Sequence, residues 1–460
     1  MKKLLTWLLA ILLLTAAAMA GASYWFGLQA EKIYASGLQQ FAISHHLTIT
    51  QQRYQRGWFT ATSTTIFFDP QRKATLKIDS LLQHGPLPWR STIDRLRTDP
   101  LAVRPVQAIV YSRLQLQQQS APGIPIAGYS VTGNAVTRVK INADADTTFQ
   151  LDKSMIQSSK GGSLRWQQVS GNVQYLQLRQ QLTGQLESPK LDISGPGKTV
   201  ILENIRSRFS FTLKGWRSPE NFQLTADTVK MQATDSAATV LKQFFVKIQG
   251  PTTRADQALS LRAGFNTANW KQQQFGPAQF TLSSKSLEPL FSATTPPPAS
   301  PSLLDTFRKY PPHIKAQLRM ATDNGMLEGQ LKLQLEPQKL TAISPLALFA
   351  ALKADASVTL PRTLLEAAMV EKLRAEILLL QQQGKIRDLT PQQLQQILDR
   401  ALPGRINALL SAKMFVQQSD GRFSSHLQIQ DSKLQLNDTP LNIFELLSKF
   451  TGGGAAHGLL

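Results

Sequence analysis

The chain contains no cysteine at all. That excludes disulfides, thiolate nucleophiles, and zinc or iron–sulfur sites held by cysteine. Charge is also scarce, at 17% of 460 residues, and acids are scarcer than bases, with 30 Asp and Glu against 50 Lys and Arg. The formal charge of +20 favours anionic surfaces such as lipid headgroups. The bases form no long run. They number thirteen against five acids in residues 1–120, nineteen against eleven in 121–300 and eighteen against fourteen in 301–460, which reads as a scattered, solvated excess. Polarity comes instead from Ser, Thr and Gln, with glutamine at about a tenth of the chain. At 42% hydrophobic residues the chain can bury real cores, and its length suits more than one domain.

Several chemical signatures are missing too. There is no G-x-S-x-G and no H-E-x-x-H, so the common serine and zinc hydrolase patterns are absent. The six histidines, at 45, 46, 84, 313, 426 and 457, show no metal-ligand spacing. Gly195-Pro196-Gly197-Lys198-Thr199 resembles the end of a phosphate loop, but Asp192 stands where the first glycine is required, so it reads as a hairpin turn. Asn142, Asp144 and Asp146 imitate the start of a calcium loop but lack its sixth-position glycine and twelfth-position glutamate. No catalytic residues, cofactor or metal are expected, and the chain is read as a non-enzyme.

What is present begins at the amino terminus. After Lys2 and Lys3, Leu4 to Leu28 carry no charge. That length covers the roughly 30 Å hydrocarbon core of a bilayer. The two lysines predict a cytoplasmic start and export of everything after residue 30, which places the bulk of the chain in the periplasm, away from nucleic acid. A cleaved signal peptide is the other reading, since Ala18-Met19-Ala20 fits signal peptidase. Apolarity continuing through Tyr24, Trp25 and Phe26 favours a retained anchor. Residues 31–45 are weakly helical and could prolong it as a stalk.

From Tyr54 the hydrophobic period becomes two, in runs bounded by turn residues. Strands are expected near 59–68, 106–116, 173–178, 200–213, 222–231, 259–265 and 280–284. Ile314, Ala316, Leu318 and Met320 face Leu327, Leu331, Leu333 and Leu335 across Asp323-Asn324-Gly325, and Leu427 and Ile429 face Leu434 and Leu436 across Asp431-Ser432. The stretch 294–301, with prolines at 296, 297, 298 and 301, reads as a linker. Beyond it, Leu364, Leu365, Ala368, Met369, Leu373, Ile377 and Leu380 mark an amphipathic helix after Pro361. Thr390 and Gln393 form a capping box opening a second helix that Pro403-Gly404 should end, and a third is expected from Pro440 to Phe450.

The expected organisation is thus an anchor (1–28), a β-rich domain (29–293), a linker (294–301) and an α+β region (302–460). The fold class is mainly β with subsidiary α, in long curved antiparallel sheets packed by late amphipathic helices, with a single N-terminal transmembrane helix. Partial cover of such a sheet would leave an apolar groove suited to lipid or lipoprotein. The alternative is a structural or assembly protein of the envelope, acting through self-association or partner binding.

Two motifs add a resemblance. Tyr54-Gln55-Arg56-Gly57-Trp58-Phe59-Thr60-Ala61 resembles the Y-x-R-G-x-F-x-S/A opening of the YdgA-like family of Gram-negative cell-envelope proteins, and His84-Gly85-Pro86-Leu87-Pro88 its H-G-P-h-P element. Lys433 to Asn437 followed by Leu441 to Leu447 is similar to its closing strand and short helix, with Asp438 where glycine is usual. The resemblance implies an inner-membrane-anchored periplasmic protein of unestablished role. Physically, Gly57 suits a bulge or sharp bend entering the first strand and His84-Gly85-Pro86 a turn leaving one. Arg56, Trp58 and His84 also fit a headgroup or partner surface, through charge-assisted bonds and stacking.

Overall fold

The structure is a computed structural model, and it describes residues 2–85, 106–118, 129–158, 161–212, 220–233, 238–250, 258–270, 273–285, 305, 308, 311–323, 325–340, 342, 344–383, 385–387 and 389–441. Of residues 2–14, 16, 17, 33, 44, 258, 270, 273, 345 and 382 it describes the backbone alone. The linker 294–301 and residues 442–450 of the expected last helix lie outside the described residues. Contacts divide the chain into two compact units, 1–244 and 245–460.

The first unit opens with helix α1 (Lys2–Ser44), so the weak period after residue 31 does prolong the apolar helix. Among the described residues no helix is long and apolar enough to cross a membrane. The side chains of residues 2–14, the leucine-rich part of the expected anchor, are outside that set. After α1 come β1 (Thr48–Arg56), β2 (Thr60–Asp69), β3 (Ala74–His84), β4 (Val106–Gln118), β5 (Tyr129–Lys140), β6 (Ala145–Leu151), β7 (Ser154–Gln157), β8 (Ser163–Trp166), β9 (Val169–Leu176), β10 (Gln181–Gly195), β11 (Lys198–Thr212) and β12 (Asn221–Ala233). The sheet is an antiparallel meander. From β1 to β5 each strand pairs with the next, β6 and β7 are two pieces of one strand opposite β8 and β9, and β10, β11 and β12 follow in order.

Register fixes two faces. Ala61, Ser63, Thr65 and Phe67 of β2 stand opposite Leu82, Ser80, Ile78 and Leu76 of β3, which stand opposite Val110, Ser112, Leu114 and Leu116 of β4. The same face continues through Val131, Phe149, Val173, Leu182, Leu186, Phe209 and Leu224. The other face carries Thr64, Asp79, Arg113, Asn134, Gln150 and Gln185, with Leu81, Tyr111 and Val136 exposed among them. Alternation with one apolar face is what an antiparallel sheet with one packed side requires. Pro189 interrupts β10 where its partner changes from β9 to β8, so the missing N–H falls in a gap of the ladder.

The division between units falls inside β13 (Thr239–Gln249). The second unit continues with β14 (Ala258–Phe265), β15 (Thr267–Trp270), β16 (Gln273–Lys285), β17 (His313–Thr322) and β18 (Gly325–Leu335). Then come α2 (Pro345–Ala351), β19 (Leu352–Leu360), α3 (Arg362–Gln382), α4 (Pro391–Ser411), β20 (Val416–Gln417), β21 (Phe423–Gln430), β22 (Lys433–Leu436) and β23 (Thr439–Leu441). It too is antiparallel between chain neighbours, with helices in the connections. The proline-rich stretch connects β16 and β17, which pair from Lys285↔His313 to Phe275↔Thr322. It therefore joins adjacent strands of one unit. Both expected hairpins form in the expected register, Ile314 opposite Leu333 and Leu427 opposite Leu436, and Asp431 and Ser432 take the positive φ of a two-residue primed turn. Pro440, expected to open a helix, lies in β23.

The late helices pack on their own unit's strands. Leu365 of α3 and Ile406 of α4 close a core with Leu360 and Phe423, with Met369, Leu402 and Leu410 against it. The capping box is formed, each of Thr390 and Gln393 accepting the other's backbone N–H. Pro403-Gly404 does not end α4, which runs on to Ser411. Leu402, Ile406 and Leu410 hold the same face across the proline, and tertiary burial outweighs the lost backbone bond. Both Pro403 and Gly404 are exposed. Replacing them together by alanine should therefore stabilise the second unit by about 1–3 kcal/mol, read as a raised melting temperature. A lowered one would show that the proline shapes the helix as the core needs it.

Candidate functional site

The motif residues meet on α1. β1 ends at Arg56, residues Gly57 to Phe59 make the turn, and Arg56 returns opposite Ala61. Gly57 thus lies in the β1–β2 turn, where its N–H bonds Thr60 O at 2.7 Å, and not in a bend entering the first strand. A turn and not a bulge results because β1 begins earlier than its apolar pattern, at Thr48. His84 closes β3 beside this turn, its N–H donating to Phe59 O at 3.0 Å. Arg56 and His84 share the apolar face, where α1 lies across the first strands.

Arg56 Nη1 donates to Glu31 Oε2 of α1 at 2.8 Å, and its guanidinium sits 5.1 Å from the centre of the Tyr24 ring. Tyr24 in turn stacks at a tilt on Trp58, with 5.4 Å between ring centres. His84 Nδ1 lies 2.9 Å from Ser23 O. A carbonyl only accepts, so Nδ1 carries the proton. The imidazole is fully buried, and that burial holds its pKa below the ordinary value against the opposing pull of the Ser23 bond. His84 is therefore neutral at pH 7. Two glycines make the approach possible. A Cβ on Gly27 would lie 2.7 Å from the His84 ring, and one on Gly85, which has φ +118°, would lie 2.2 Å from Ser23 Oγ.

The seam continues along the helix. Tyr34 Oη donates to Ser80 Oγ, which is bonded to Ser112 Oγ at 2.9 Å. Tyr34 also lies beside Tyr54, whose hydroxyl burial pushes up to about 12. Phe41 meets Phe67 edge-on at 5.5 Å, and Leu47 N–H bonds back to Ala42 O at 2.8 Å. Beneath α1, Ala61, Ser63, Thr65, Phe67, Leu82 and His84 are all buried. Magnitudes separate the roles. Arg56–Glu31 keeps 26% and 43% of its side chains exposed, and such a pair contributes about 0.2–1 kcal/mol. Burying Phe67 or Leu82 contributes about 1.5–3 kcal/mol each. The apolar contacts hold the helix, while the ion pair and the histidine set its rotation and height.

The structure thus brings together all three residues singled out from the sequence, Arg56, Trp58 and His84. It turns Arg56 and His84 onto α1 and leaves Trp58 on the surface at 64% exposure. Their partners Ser23, Tyr24, Gly27 and Glu31 were missed. Ser23 and Gly27, four residues apart, follow the small run Ala16-Ala17-Ala18-Met19-Ala20-Gly21-Ala22 and do not stand out from it, so the one distinct signal was Glu31, the first acid of the helix.

Past β4 the cover stops. Among the described residues of the first unit α1 is the one helix, and its contacts are with β1 to β4. On the apolar face Phe149, Val173, Leu182, Leu186, Phe209 and Leu224 are only partly buried. Two open grooves, of about 550 and 470 Å³, lie on the opposite face, the first lined also by the exposed Leu81, Tyr111 and Val136. Their linings include Thr62, Asp79 and Arg113 in the first, and Asp146, Asn172 and Arg208 in the second. The rejected motifs are turns: Gly195 pairs with Lys198 across the β10–β11 hairpin, and Asn142 bonds Asp144 beside β6. Among the described residues no acidic or histidine cluster could hold a metal ion.

A long N-terminal helix packed onto the opening strands of an antiparallel meander defines the class. The family model described as bacterial protein of unknown function (DUF945) matches residues 1–291 and 304–444, and the chain belongs to that family. Neither a curated protein nor a solved structure matches it.

The buried histidine makes the joint pH-sensitive. Its folded pKa lies below the 6.5 of the unfolded chain, so the unfolded state takes up the proton first as pH falls. Its contribution to stability is complete above pH 6.5 and is lost below it. The stability of the native chain relative to a His84→Gln variant, from urea unfolding, should shrink between pH 7.5 and 5. A difference that stays constant would show that His84 is not buried neutral.

Proposed function

We propose that this is a YdgA-like, single-pass inner-membrane protein whose body stands in the periplasm. It has no catalytic role, and it holds acyl chains of lipid or lipoprotein against the apolar face of its first sheet. One observation carries the reading: the apolar face runs continuously from the helix-covered strands β1 to β4 onto β5 to β12, where its side chains are only partly buried. Acyl chains suit it because the patch is extended and the covering helix is continuous with the uncharged run Leu4–Leu28, so lipid is the nearest apolar material. The basic excess favours anionic headgroups at the rim. Lys2 and Lys3 before the run support the orientation.

A photo-crosslinking residue at Phe149 or Phe209 should capture lipid in intact cell envelopes, while one at Thr148 or Gln185, on the opposite face, should not. The mass of the adduct distinguishes a phospholipid from a lipoprotein acyl chain. Capture of protein without lipid at Phe149 and Phe209 would replace this reading with a structural or assembly role. Equal capture on both faces would show that the apolar face is not the site.

A further inference from the structure

The turn between β1 and β2 presents large apolar rings where a soluble hairpin would present polar residues. Trp58 is 64% exposed and Phe59 51%. Beside them on α1, Trp25 is 55% exposed and Tyr24 38%. The four rings belong to one end of the helix–sheet joint: Tyr24 stacks on Trp58, Phe59 O accepts from His84 N–H, and His84 holds Ser23, the residue before Tyr24. The opposite end of the same strands, at Asp69 to Lys73, carries Gln71 and Arg72 instead.

Position along the helix assigns the partner. From Leu4 to Tyr24 the helix rises about 30 Å, which is the hydrocarbon thickness of a bilayer. Tyr24 and Trp25 then fall at the headgroup level, where tryptophan and tyrosine concentrate. Because Ser23 is fixed to His84, the turn is held at that same level. We infer that the β1–β2 turn is a second membrane contact, with Trp58 and Phe59 seated in the lipid interface beside the emerging helix. This deepens the anchor reading and rests on it. Arg56 does not need a lipid phosphate in this arrangement, since Glu31 and Tyr24 already occupy it. Its work is to fix the turn against the helix. The consequence is orientation: one helix alone lets a body swivel and tilt, whereas a helix plus an adjacent wedge sets the strands at a fixed angle and starts the apolar face at the bilayer surface.

The absence of cysteine makes the test clean. Full-length chains carrying Phe59→Cys, Gln71→Cys or Leu12→Cys would be labelled with an environment-sensitive fluorophore and placed in vesicles of phosphatidylethanolamine and phosphatidylglycerol. The vesicles would contain nitroxide lipids at shallow or deep positions. The expected result is several-fold stronger quenching at 59 than at 71 by shallow nitroxides, with the label at 12 quenched by deep ones. If 12 is quenched and 59 no more than 71, the turn does not enter the interface and this inference fails while the anchor stands. If 12 is not quenched, the anchor reading fails and takes this one with it.

Discussion

The packing of α1 across the first four strands is the constraint on which the remainder depends. A meander of glutamine-rich strands has one apolar face that must be covered. The chain supplies the cover before it supplies the sheet. Small residues at 23 and 27 bring the helix against the buried imidazole of His84, and Phe67, Leu82 and Ala61 bury themselves beneath it. Residues that look like a basic–aromatic surface, Arg56, Trp58 and His84, thus belong to the sheet's half of a joint. Where the helix stops, the face is left only partly buried, and the functional proposal begins at that edge.

Most pairings in both units join strands adjacent in sequence, the exceptions being β6–β9, β8–β10, β13–β15, β14–β16 and β19–β21. Loops can then be inserted without disturbing the ladder, since closing a longer loop costs only slowly more. The proline-rich stretch between β16 and β17 and the helices between β19 and β21 are such insertions. This explains why a composition break at 294–301 marks a connection within one unit, while the contact boundary falls in β13, a strand with no compositional sign of it.

Much of the fold was legible. Strict alternation located β2, β4, β11 and β14, and turn chemistry located both expected hairpins. What escaped had competing local signals. Gly133-Asn134 reads as a turn but sits mid-strand in β5, opposite Leu114 and Arg113, and Gly184 and Pro189 break the pattern of β10. The end of α4 was misplaced because a proline's local penalty is visible in sequence and the burial of Ile406 is not. Of the candidate site, Arg56, Trp58 and His84 were visible as unusual residue types. Their role was not, because it is defined by residues 25 to 61 positions away, on a helix read up to Leu28 as a membrane span and beyond it as a stalk.

Amide hydrogen exchange along α1 in the full-length chain tests the central claim most directly. A helix docked as described predicts that residues 27–44 exchange as slowly as β2 and β3 and open together with them. Exchange of residues 30–44 at the rate of a free helix, while β2 and β3 stay protected, would contradict it.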